Sequence, residues 1–230
     1  MAAVSDRPAE GRHENFVVDS RRTLGYRFGR SIIMGVARTL FRPRVINAAE
    51  VPATGGLLIA PVHRSNVDFA FPVLLTKRKM FFMAKDSLWK ISLLGRFLIA
   101  MGGFPVHRQS ADRTSLQRAE DILARGEVLI LFPEDTRQEG PAVAELLEGA
   151  AFLASRTGVP IMPVGIANSD RAMPKGAKLP RPVRVTVYAG PLLAPAPLGP
   201  TGRISRKAIA TSTEELREAL QAAYDASKAL

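Results

Sequence analysis

The chain contains no cysteine. Disulfides, thiol nucleophiles and thiolate metal sites are therefore excluded together. Histidine is nearly as scarce, at three residues, which argues against a multi-histidine zinc site. Aromatic residues make up 7% of the sequence, which disfavours a single-stranded nucleic-acid binder built on stacking platforms. No run of about 18 apolar residues occurs; the nearest, ISLLGRFLIAMGGFPV, is interrupted by Arg96 and by glycine. The opening MAAVSDRPAEGRHEN is polar and mixed in charge, so it is not expected to be a secretory signal. If such a chain meets a membrane, it is expected to lie on it.

What the sequence has in excess is positive charge. Lys and Arg number 32 against 21 Asp and Glu, a net charge of +11. A field of that sign attracts anionic lipid, nucleic acid and phosphorylated metabolites alike. The length, 230 residues, suits one large α/β domain and can bury a sizeable core.

Residues 1–18 read as a disordered tail. From about Asp19 to Phe41, Leu24, Phe28, Ile32, Ile33, Val36 and Leu40 fall on one half of a helical wheel, with Arg27, Arg30 and Arg38 opposite. A basic amphipathic helix over 19–42 suits the headgroup boundary of an anionic leaflet; the alternative is an ordinary surface helix packed on the domain. Further along, TGGLLIAPV and GEVLILFPE read as buried strands, and MFFMAK, FPVHR, VPIMPVGIAN and VRVTVYAG as others. Helices are expected over NVDFAFPVLLTK, DSLWKISLLGRFLIAMG with a break, SADRTSLQRAEDILARG, GAAFLASRTG and roughly 205–230. Strands alternating with helices imply a single layered α/β domain over 43–230, with a mostly parallel central sheet flanked by helices. Its ligands should gather beyond the carboxyl ends of those strands.

Three polar clusters follow apolar strands. In PVHRSNVDF, His63 leaves a strand and Asp68 follows five positions later. A strand-to-helix bend can bring the two within hydrogen-bond reach, so that the carboxylate fixes the tautomer and leaves Nε2 as a base. A capping or core histidine is the alternative, and the pair alone is a weak signal. GGFPVHR supplies Arg108, whose planar fork of donors suits phosphate. LFPEDTR supplies Glu134, Thr136 and Arg137. Each of these two, alone, also reads as a surface turn. A parallel sheet, however, presents all three strand ends on one edge.

In order and content these blocks resemble those of the glycerophosphate acyltransferase family, which includes the lysophosphatidate acyltransferases. HRSNVD resembles its His-x-x-x-x-Asp dyad, GGFPVHR its second block, FPEDTR its third and VPIMPVGI its fourth. The resemblance implies a catalytic base at His63 and an orienting carboxylate at Asp68. It implies acceptor-phosphate contacts from Arg108 and the Glu134–Arg137 block. It also implies an acyl thioester donor, either acyl-CoA or acyl carrier protein, and a glycerophosphate or lysophospholipid acceptor. No metal or prosthetic group is implied.

Two departures stand out. Asp135 occupies the place where the family usually has glycine, and Leu147 and Glu148 stand where many relatives carry Lys before Gly-Ala. A substitute is the basic loop SDRAMPKGAKLPRPVR, with Lys175 foremost among Arg171, Lys178, Arg181 and Arg184; a solvated basic loop is the alternative. Lys77, Arg78 and Lys79 extend the same basic surface. Phe81, Phe82, Met83 and Trp89 read either as core or as the lining of an acyl channel. The expected activity is acyl transfer in phospholipid biosynthesis, at the cytoplasmic face of the cell membrane and peripheral to it. Three alternatives remain: a non-phosphate acceptor such as a glycolipid, a catalytically idle membrane-binding relative, and a basic nucleic-acid binder. The last has only the charge in its favour and gives no reason for the dyad.

Overall fold

The computed structural model describes residues 23–106, 113–199 and 202–230. The expected tail over 1–18 and the block-two arginine, Arg108, lie outside them. Among the described residues seven strands form one sheet: β1 (Arg44–Ile46), β2 (Leu57–Pro61), β3 (Met80–Lys85), β4 (Gly103–Val106), β5 (Val128–Ile130), β6 (Ile161–Ala167) and β7 (Thr186–Ala189). Their spatial order is β1-β7-β6-β2-β5-β3-β4. β6, β2, β5, β3 and β4 run parallel, while β7 turns back antiparallel to β6 and carries β1 alongside. The expected mostly parallel α/β sheet is what forms.

The central strands are apolar throughout because both faces of the sheet are covered. All five residues of β2 and all seven of β6 are buried. The covering helices are α3 (Arg113–Ala124), α4 (Gly149–Thr157) and α6 (Arg206–Lys228), with short α5 (Ser169–Ala172) after β6. Ile122 and Leu123 of α3 point inward, as the periodicity predicts. α6 starts at a Ser205 cap, whose hydroxyl accepts from the Ala208 N–H at 3.0 Å, and buries Ile209, Leu216, Leu220 and Tyr224. One glycine sets how closely α6 lies. A Cβ on Gly165 of β6 would sit 2.1 Å from the Ala223 carbonyl oxygen, so the helix backbone rests directly on that strand.

Three expectations are corrected. NVDFAFPVLLTK forms no α-helix; it makes two 3-10 turns, Asp68–Ala70 and Pro72–Leu74. Pro72 can supply no N–H to an α-helix running through it, so the segment divides there. The first helix, α1 (Leu24–Val36), continues as a π-helical turn over Ala37–Phe41, and it sits on the domain by a side other than its most apolar one. Tyr26, Gly29, Arg30 and Ala37 are buried, whereas Leu24, Phe28, Ile32 and Val36 are exposed. Arg30, expected on the solvent side, donates from Nη2 to the carbonyls of Val73 at 2.5 Å and Thr76 at 2.6 Å. Those carbonyls belong to the turn that replaced the expected helix.

Of the Lys77–Lys79 run, only Lys77 is an exposed surface charge. Arg78 turns inward onto the carbonyls of Pro52, Gly55 and Gly126, and burial lowers its pKa from the ordinary value against an opposing pull from Glu127. Lys79 is buried over the rings of Tyr26 and Phe81. Phe81 itself is core; Phe82, Met83 and Trp89 are half-buried.

Substituting Gly165→Ala should destabilise the fold by about 3 kcal/mol, the upper range for overpacking, because the new methyl meets backbone rather than a yielding side chain. Urea unfolding of the two forms measures it, and an unchanged midpoint would contradict the close seat of α6.

Candidate active site

β2 and β5 are paired as far as Ile59 and Ile130. Beyond that β2 continues along β6 alone, through Pro61↔Val164 and the Val62 N–H on the Val164 carbonyl at 3.0 Å. Where two adjacent parallel strands part at their carboxyl ends, the crevice between them is the usual ligand position in such sheets. His63 enters it from β2. Phe132, on the segment after β5, lies beside that histidine.

His63 and Asp68 meet there. Nδ1 of His63 lies 3.0 Å from Oδ2 of Asp68, and the imidazole is 17% exposed while the carboxylate is fully buried. The same Oδ2 accepts the backbone N–H groups of Arg64 and Ser65, each at 2.6 Å. The 3-10 turn beginning at Asp68 thus folds the carboxylate back over its own loop, an arrangement that short polar side chains readily make. The ring of Phe132 lies 4.4 Å from that of His63, tilted by 33°. With Nδ1 committed to the carboxylate, Nε2 is the nitrogen left to accept a proton. Such a pair can serve as an oriented general base.

Beneath the dyad is a second, fully buried pair. Nη1 of Arg64 donates to both oxygens of Glu134, at 2.8 and 2.9 Å, and to the His63 carbonyl at 3.1 Å. Glu134 also accepts the His63 N–H at 2.8 Å and the Ala144 N–H at 3.1 Å. Nη2 of Arg64 donates to the Ala142 carbonyl at 3.0 Å, and the guanidinium stands 4.9 Å from the Tyr224 ring centroid. Glu134, expected among the substrate contacts, is buried. Both oxygens of this carboxylate are occupied by internal donors, and its work is to hold the backbone of His63.

The remaining expected residues sit at the rim. Thr136 is exposed, with its hydroxyl accepting from the Gln138 side chain at 3.1 Å, and Arg137 is half-buried beside it. The Gln138 N–H reaches the His63 carbonyl at 2.8 Å, so this segment borders the dyad directly. Lys175 is exposed and paired with Glu139 at 3.2 Å. Its loop is tied to the dyad loop by the Ser65 hydroxyl, which donates to the Met173 carbonyl at 2.8 Å. Asp135 has φ +58°. That is the left-handed region, open to glycine and tolerated by aspartate, which accounts for the departure there. No three potential metal-ligating side chains cluster among the described residues.

The sequence reading missed Arg64, Phe132, Gln221 and Tyr224. Arg64 stood inside the recognised block, yet its partner is 70 positions away, and no spacing rule joins them. The one usable signal was a Glu four positions after the end of a buried strand, a place where a buried carboxylate needs a partner.

The fold and the site together describe an α/β protein with a histidine–carboxylate dyad at the switch point of its sheet. The family model named Acyltransferase matches residues 42–167, and the chain belongs to that family. It is 30% identical over 121 residues to 1-acyl-sn-glycerol-3-phosphate acyltransferase of Bacillus subtilis, covering 52% of this chain and 60% of that one. It is 30% identical over 138 residues to the enzyme of the same name from Chlamydomonas reinhardtii, covering 58% and 41%. The matches span 33% to 60% of the curated relatives' lengths. The fold is similar to that of the 1-acyl-sn-glycerophosphate acyltransferase PlsC from Thermotoga maritima, with TM-score 0.70 and 22% identity over 90% of this chain and 79% of that one.

Replacing Arg64 with Met should destabilise the protein by about 3–5 kcal/mol, because Glu134 is left as an uncompensated buried charge. Equilibrium unfolding measures the loss. A cost below about 1 kcal/mol, the range of a surface pair, would contradict the buried pairing.

Proposed function

We propose that the chain transfers a fatty acyl group from a thioester, acyl-CoA or acyl carrier protein, to the hydroxyl of a glycerophosphate or lysophospholipid. The observation that carries the reading is the His63–Asp68 contact at 3.0 Å, with the carboxylate locked by two backbone N–H groups at the mouth of the crevice. Nδ1–H of His63 donates to Asp68, and Nε2 takes the acceptor's hydroxyl proton as that oxygen attacks the thioester carbonyl. The tetrahedral adduct then collapses, the C–S bond breaks, and the imidazolium returns its proton to the departing thiolate. Both exchanged bonds belong to the two substrates, so the reaction needs no acyl-enzyme, metal or prosthetic group. The names of the relatives support the phosphate-bearing acceptor. Arg137 and Lys175 at the rim, with Arg108, are its proposed contacts.

The proposed seat is peripheral, on the cytoplasmic face of an anionic membrane. No helix among the described residues is long and apolar enough to cross one. α1 instead turns Leu24, Phe28, Ile32 and Val36 outward, and α2 (Ser92–Ala100) exposes Leu93 and Phe97. The two helices touch where Gly29 meets Met101 and Phe97. No acidic residue occurs between Asp19 and Glu50 or between Asp86 and Asp112. An apolar face with only basic neighbours matches a leaflet that is apolar below and negative at its surface.

Purified protein assayed with liposomes for thiol release from acyl-CoA should respond to lysophosphatidate, and His63→Ala should reduce the rate by about 10² to 10⁴. Glycerol 3-phosphate and a glycolipid serve as comparison acceptors, and acyl carrier protein as the second donor. Activity that survives in His63→Ala would sink the mechanism. A glycolipid preference would move the acceptor class and leave the dyad's role intact.

Flotation with phosphatidylglycerol vesicles tests the seat. Phe28→Asp should weaken partitioning about tenfold, the loss of one buried apolar side chain. Equal binding of both forms would rule out α1 as the contact.

A further inference from the structure

α6 lies beyond the stretch matched by the family model, yet its last turns reach the dyad's support. The link is the segment 141–144, which is gripped from both sides in alternation. Pro141 and Val143 face α6: the Gln221 side-chain amide donates to the Pro141 carbonyl at 3.2 Å and accepts the Val143 N–H at 2.7 Å. Ala142 and Ala144 face the other way, the first accepting from Arg64 at 3.0 Å and the second donating to Glu134 at 3.1 Å. The single amide of Gln221 thus pairs with this segment as a neighbouring strand would, using one donor and one acceptor two residues apart.

Tyr224, one helical turn further on, places its ring under the Arg64 guanidinium. The helix can come this near because β6 has no side chain at Gly165, where a Cβ would lie 2.1 Å from the Ala223 carbonyl oxygen and 2.7 Å from the Tyr224 nitrogen. The contacts run without a break: α6 holds 141–144 and Arg64, these hold Glu134, and Arg64 and Glu134 hold the carbonyl and N–H of His63. The Gln138 N–H also holds the His63 carbonyl.

We propose that Gln221 and Tyr224 are positioning residues for His63, so that the C-terminal helix sets the orientation of the proposed base without touching substrate. The proposal rests on the acyl-transfer reading for its kinetic effect, and on geometry alone for its effect on the imidazole. Gln221→Leu keeps the bulk and, at a half-buried surface position, removes both contacts to the segment together with the amide's bond to Asp225 at 3.0 Å. It should lower kcat about tenfold with KM unchanged, the signature of a displaced catalytic group. Tyr224→Leu should do the same, and Tyr224→Phe, which keeps the ring face for Arg64, should restore the wild-type rate.

The second readout needs no substrate. The low-field Nδ1–H proton resonance of His63, identified by its disappearance in His63→Ala, should remain sharp in Tyr224→Phe and be broadened away in Gln221→Leu and Tyr224→Leu. Gln221→Leu with a wild-type resonance and wild-type kcat overturns the proposal. So does a Tyr224→Phe form as impaired as Tyr224→Leu. Absence of acyl transfer in the wild-type protein would count against the proposed function, and the resonance would still decide whether α6 orients the imidazole.

Discussion

Everything around the dyad depends on one buried ion pair. Arg64 and Glu134 are removed from water on both sides, and that desolvation is repaid only as far as donors and acceptors find partners. Both oxygens of Glu134 and both terminal nitrogens of Arg64 find partners in one another, in the backbone of His63 and in residues 142 and 144, while the Arg64 Nε is buried without one. The pair is therefore less a source of stability than a fixture. It joins the loops after β2 and β5, alongside the Gln138 N–H on the His63 carbonyl, and it does so at the residue that carries the imidazole.

The order of strands makes this possible. β5 is inserted between β2 and β3 although the chain reaches β3 first, so two loops far apart in sequence leave the sheet side by side. The crevice exists because Ile59–Ile130 is the last paired position and β2 follows β6 beyond it. A dyad placed there has a floor of packed sheet below it and solvent above it. The 17% exposure of the His63 side chain beside a fully buried Asp68 reflects that position: one nitrogen faces inward to its partner, and the ring edge remains accessible.

The sheet and its helices were legible because burial on both faces writes continuous apolar runs, as in LLIAP and IMPVGIA, and because helix stops such as Gly126 punctuate them. His63 and Asp68 were legible because five positions is a local distance. Glu134 was noticed but its arginine partner was not, since a carboxylate after a strand looks the same in sequence whether it faces outward or turns inward to an arginine. Arg30 and Lys79 were misread for a related reason: periodicity records how apolar a face is, while burial depends on which face the neighbouring carbonyls and rings require. Pro72 hid the 3-10 turns, because proline is compatible with the start of either helix type.

The backbone at Asp135 carries a further consequence. Its φ of +58° admits few residues, and the glycine usual in the resembling family and the aspartate here are two of them. Their codons differ by a single base, so an ancestral sequence could exchange one for the other without passing through a form that the turn rejects. The rim of the crevice can thus gain or lose a negative charge in one mutational step while His63 stays where it is. The charge beside the dyad and the backbone that carries it are, at this position, free to change separately.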